Sequence, residues 1–195
     1  PDAWYQTKAI PLFFSIPANQ MLPVGTYRDE LQLRLYEGPP GSAVLRSTTT
    51  YTIEIYSNVR MVEVRIGQVG TQWAAGAGSL TLNFGSLGPG LVREVDILTR
   101  STIDFSLQLK SAHGGTMALV GGTGAEPTIP YSADLGAASS INLSDPFQGY
   151  TTSTIPVSAS GLASHRLRIT TGSFTPSSYA QGEYRDTITI TILSY

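Results

Sequence analysis

The chain has 195 residues, with 12 basic and 14 acidic side chains and a formal charge of −2; charged residues are 13% of it, about half the usual share of roughly 25%. That balance excludes the dense Lys/Arg footprint of a nucleic-acid-binding protein, and the only lysines are Lys8 and Lys110. With no cysteine, disulfide scaffolds, cysteine–zinc sites, iron–sulfur clusters and thiol catalysis are excluded too, while 41% hydrophobic residues suffice for a core.

The opening segment carries Trp4-Tyr5 and Phe13-Phe14, aromatic mass suited to a core or an interface; we expect Phe13 and Phe14 in a core. It shows no signal peptide and reads as mature or trimmed. Apolar and polar residues then alternate over Glu30–Tyr36 (ELQLRLY), up to the turn cluster GPPGS at 38–42. Alternation resumes at Tyr51–Ile55 (YTIEI), with Val59 and Met61 in the same phase, and shifts by one residue at Val62, Val64 and Ile66. Such a shift flips the buried face, and a bulge, a strand that changes sheets or a break between two strands all produce it. Further alternations fall at Ser79–Phe84, Leu91–Leu98, Thr102–Leu109, Arg166–Thr170 and Thr187–Leu193, separated by Gly-rich turns at 76–78, 85–90, 113–115 and 121–127. Period two with β-branched residues predicts antiparallel strands with one face buried. The expected class is all-β, a sandwich or barrel.

One stretch recurs. Residues 25–37 read GTYRDELQLRLYE and residues 182–194 read GEYRDTITITILS; the glycines lie 157 positions apart (182 − 25). Ile10 and Leu12 fall on Leu167 and Ile169 at the same offset. An offset of that size matches one domain. Residues 1–37 are therefore expected to end a first domain, 38–50 to form a linker and 51–195 to form a second copy.

Chemistry is sparse. His113 lies in an Ala-His-Gly-Gly turn and His165 before a strand, with no metal-ligand spacing around either. No nucleophile elbow occurs, and the VGGTG turn at 120–124 lacks the Lys and helix of a phosphate loop. We expect no catalytic residues, no metal and no cofactor. Trp73, in TQWAAGAG between strands, is the candidate for a contact surface.

The terminal RDTITITILSY sets Ile188, Ile190 and Ile192 on one face and Thr187, Thr189 and Thr191 on the other. Without Pro, Lys or bulge, such a strand at an edge templates pairing, and an edge kept open suits β-augmentation. LNFGSL (82–87), LTRSTIDFSLQLKSAHGG (98–115), IPYSADL (129–135) and GEYRDTITITILSY (182–195) resemble the spore coat protein U domain, which is also the pilin module of archaic, Csu-type chaperone–usher pili. The resemblance covers roughly residues 75–195; residues 9–37 look like the end of a preceding copy. It implies an incomplete immunoglobulin-like β-sandwich lacking its last strand, completed by a donor strand. It implies as partners a periplasmic pilus chaperone, an outer-membrane usher, an adjacent pilin subunit and a host or abiotic surface, with no nucleic acid. Two tandem copies imply a tip adhesin, in the periplasm in transit and then extracellular on the pilus. On that reading the acceptor groove is walled by Tyr51, Ile53 and Ile55 on one side and by Ile188, Ile190, Ile192 and Tyr195 on the other, with Trp73 as adhesive surface. The cysteine that many family members carry near the start of the domain is missing. Competing readings are a spore-coat or cell-surface structural protein of the same domain family, a carbohydrate-binding β-sandwich module and, last, a hydrolase on a β scaffold.

Overall fold

The alternating segments become antiparallel strands. The computed structural model describes residues 11, 13, 15, 21–39, 41–145 and 147–194. In chain order the strands are β1 (Gly25–Glu37), β2 (Val44–Ser57), β3 (Val62–Gln68), β4 (Val92–Ser101), β5 (Phe105–Ser111), β6 (Thr116–Leu119), β7 (Ile129–Leu135), β8 (Tyr150–Thr151), β9 (Leu162–Thr171), β10 (Tyr184–Arg185) and β11 (Ile188–Ser194). Two single-turn 3-10 helices, Trp73–Ala75 and Pro176–Ser178, are the only helices among the described residues.

Two sheets face one another as an immunoglobulin-like sandwich: a six-stranded one in the order β10-β6-β7-β9-β4-β3 and a three-stranded one in the order β11-β5-β8. Val95 and Ile97 of β4, Ala133 and Leu135 of β7, and Leu167 and Ile169 of β9 meet Phe105, Leu107 and Leu109 of β5. Each such fully buried large side chain stabilises the fold by about 1.5–3 kcal/mol. β4 is buried on both faces from Val95 to Thr99, as befits an interior strand with a covered outer face.

β1 and β2 form a separate two-stranded ribbon. Its register runs unshifted from Gly25↔Ser57 to Leu35↔Ser47, with an irregularity at Leu35/Tyr36. Residues 44–50, expected as linker, are paired strand. Leu31, Leu33, Tyr51, Ile53 and Ile55 share one ribbon face; Arg28, bonded to Glu54 at 2.6 Å, lies on the other.

The phase shift before Val62 is a break between strands: β2 stays with β1, and β3 joins the six-stranded sheet. The alternation at Ser79–Phe84 does not become a strand; only the Ile66↔Ala77 bridge forms beside it, so it lacks the neighbour that would make a ladder. Leu82 and Phe84 still pack against the core. Phe13, expected in a core, is 91% exposed. Trp4, Tyr5, Ile10, Leu12, Phe14 and Tyr195 lie outside the described residues.

Candidate functional site

β11 pairs with β5 from Ile188↔Ser111 to Ser194↔Phe105. At its start the Ala112 amide donates to the Thr187 carbonyl at 2.9 Å. Main-chain groups of odd-numbered residues therefore turn toward β5, and those of Ile188, Ile190 and Ile192 turn to the opposite side. No strand pairs there among the described residues. The three isoleucines are only half-buried, although they pack on a core whose central members are fully buried.

Across that side lies the other long edge, β3, with Val62, Val64 and Ile66 likewise half-buried. Arg60, Met61, Val62, Ile103, Ile192 and Ser194 line a hollow of about 510 Å³ between them. Some Cα atoms of β3 and β11 come within 8 Å of each other. A strand seated between two others needs about 9.5 Å, twice the ladder spacing, so its entry requires the edges to part slightly. The remaining edges, β8 and β10, are two residues long and offer little to pair with.

The structure thus brings Ile188, Ile190 and Ile192 together on one open edge. It does not bring Tyr51, Ile53 and Ile55 to them: these lie in β2, against Leu31, Asp29 and Tyr27 of β1. The strand facing β11 across the opening is β3.

Asp186, at the step between β10 and β11, went unnoticed in the sequence. Its side chain is 4% exposed. It accepts hydrogen bonds from Ser111 Oγ at 2.5 Å, from the Tyr131 hydroxyl, and from the His113 and Thr187 amides at 3.1 and 2.7 Å, with His113 Nδ1 also at 3.1 Å. Ser111, His113 and Asp186 are the residue types of a hydrolytic triad. Here the serine hydroxyl donates to the aspartate rather than to the imidazole, which a nucleophile–base pair does not permit. The carboxylate instead ties the β5–β6 turn and β7 to the start of the terminal strand. Burial first, and Asp186 second, push the Tyr131 pKa well above the ordinary phenol range.

On the outer face of the larger sheet, buried Asp96 accepts from Arg166 Nε at 2.6 Å and from the Gly70 amide at 2.7 Å. Burial works to raise its pKa, but those two bonds and the Arg166 charge outweigh it and leave the group below its ordinary 3.8. Trp73 is half-buried nearby, with the Arg65 and Arg100 guanidinium carbons 4.8 and 5.8 Å from its ring centroid. His165 turns toward the core beside Phe105, with Nε2 3.3 Å from Thr99 Oγ1, and burial lowers its pKa.

No family model and no curated protein matches the chain. Among solved structures, it is similar to a chain of a chaperone–tip adhesin complex described for CFA/I fimbriae biogenesis. Identity is 16% and the TM-score 0.47, over 89% of this chain and 54% of the other. It is also similar to a chain of the CsuC–CsuE chaperone–tip adhesion subunit pre-assembly complex from the archaic chaperone–usher Csu pili of Acinetobacter baumannii. There identity is 11% and the TM-score 0.40, over 91% of this chain and 62% of the other. The chain thus spans somewhat more than half the length of either.

Proposed function

We propose that this chain is a structural and adhesive subunit of an archaic chaperone–usher pilus, a tip adhesin whose carboxy-terminal sandwich is completed by a partner's strand. The observation that supports this reading is the seven-residue β11, unpaired on one side, with Ile188, Ile190 and Ile192 half-buried over a finished core. A donated strand seated between β11 and β3 covers that row and satisfies its outward amides and carbonyls. In transit the strand is a periplasmic chaperone's; at the outer-membrane usher it is exchanged for that of an adjacent subunit. Residues 1–37 then end a preceding adhesive unit, and Trp73 is the candidate for contact with a host or abiotic surface on the second.

Co-expression with a periplasmic pilus chaperone tests this. The expected result is a one-to-one complex on sizing, lost in Ile190→Asp, which places a charge in the row to be covered. A lone monomer that stays heat-resistant without a chaperone, with slow amide exchange at Ile188, Ile190 and Ile192, overturns it.

A further inference from the structure

β1 and the terminal segment are the same element in two settings, and the likeness extends beyond sequence. The Tyr27 hydroxyl donates to the Pro23 carbonyl and the Tyr184 hydroxyl to the Ala180 carbonyl, each four residues back. Asp29 Oδ1 accepts from the Glu30 amide and Asp186 Oδ1 from the Thr187 amide. All four positions correspond at the 157-residue offset.

The two strands differ in their neighbours. Among the described residues, β11 pairs with β5 on one edge and with no strand on the other; β1 pairs with β2. The main-chain bonds say which edge β2 occupies. The Val24 amide donates to the Thr102 carbonyl, away from the ribbon. Bonds to β2 therefore begin at Gly25 and, in the unshifted register, fall on odd-numbered residues up to Leu35. The offset is odd, so these correspond to even-numbered residues of β11, the ones whose main-chain groups face the open side. β2 stands on β1 where an incoming strand stands on β11.

We propose that β2 is an internal donor strand, and that its register on β1 is the register in which the open edge of β11 takes its partner. This rests on the reading of β11 as a strand acceptor and adds to it the partner's direction, alignment and chemistry. The partner runs antiparallel to β11. It sets an aromatic residue opposite Ile188, as Tyr51 lies opposite Leu31, and small hydroxyl residues opposite Ile190 and Ile192, as Thr49 and Ser47 lie opposite Leu33 and Leu35. On the solvent face, the position of Thr50 falls opposite Thr189 and that of Thr48 opposite Thr191.

The absence of cysteine allows a direct test by disulfide trapping. Thr189→Cys or Thr191→Cys is made in the full chain, both positions being solvent-exposed. Each is mixed with a synthetic peptide of residues 44–57 carrying one cysteine at position 48, 50 or 52. Thr189 and Thr191 bond to β5, so with a partner on the open side they form the closer, non-hydrogen-bonded pairs, within disulfide reach. The pairs 189 with 50 and 191 with 48 are expected to trap about tenfold or more faster than pairs displaced by two residues. Preferred trapping in a displaced or parallel register overturns the proposal and leaves β11 an acceptor. Failure of every pair overturns it as well. In that case hydrogen exchange of the free chain separates the two readings: fast exchange at Ile188, Ile190 and Ile192 leaves the edge open, and slow exchange removes the acceptor reading too.

Discussion

At the scale of single residues, buried polar groups govern this protein's tolerance to change. Asp186 satisfies a serine hydroxyl, a phenol and two amides at once. Asp186→Ala leaves these donors without an acceptor and is expected to cost roughly 2–4 kcal/mol in urea denaturation. Tyr131→Phe is expected to cost clearly less in that background than in the unaltered chain, the mark of a shared network. Two groups contribute to the acid limb of stability from within the sandwich. His165 resists the proton that the unfolded chain accepts near its ordinary 6.5, so stability falls as pH drops below that value. His165→Gln, which keeps a polar partner for Thr99, is expected to flatten the change in urea midpoint between pH 7 and pH 5. Asp96, held below 3.8, contributes stability that is present above that pH and lost as pH falls through the lowered folded value. Asp96→Asn is expected to shrink that second fall, read from the same denaturation series carried down to pH 2.

At the scale of elements, the alternation made most strands legible, since period two needs only side-chain identity. What it could not show was the neighbour of each strand. Tyr51–Ile55 reads as well for a ribbon with β1 as for a wall beside β11, because both settings cover one apolar face. Ser79–Phe84 carries a strand pattern without becoming a strand, since pairing depends on a backbone partner that the pattern does not encode. The repeat at Gly25 and Gly182 was legible, yet one copy is a continuous strand while the other steps from the larger sheet to the smaller between Arg185 and Ile188. That step is held by Asp186, whose side-chain partners Ser111 and Tyr131 lie 75 and 55 positions away in sequence and so leave no local mark. Turn chemistry is equally specific. Gly149 leads into β8 at φ +63°, with its missing Cβ aimed at the Leu109 carbonyl. Gly149→Ala is expected to destabilise by about 2–4 kcal/mol and to loosen the β5–β8 pairing, seen as faster exchange at Thr152, whose amide donates to the Leu107 carbonyl.

At the scale of the molecule, a strand acceptor is stabilised by whatever it accepts. If β11 takes a partner strand, a peptide of residues 44–57 supplied at a hundred times its dissociation constant is expected to raise the apparent unfolding free energy by about 2.7 kcal/mol. No rise at concentrations that saturate binding contradicts the picture of a sandwich left open along β11. Within the sandwich, the two long edges face the same opening and the other two edges are short, so among its described strands it offers one place for a partner strand.

The pairing of β11 with β5 along its whole length also bears on mechanical load. Ladder bonds lie perpendicular to the strands. A pull transmitted along β11 by a strand lying beside it therefore strains all seven pairs from Ile188 to Ser194 in shear, together rather than one after another. The junction is built to slip only when the entire row yields, whereas a peeling force applied at Ser194 would open it pair by pair.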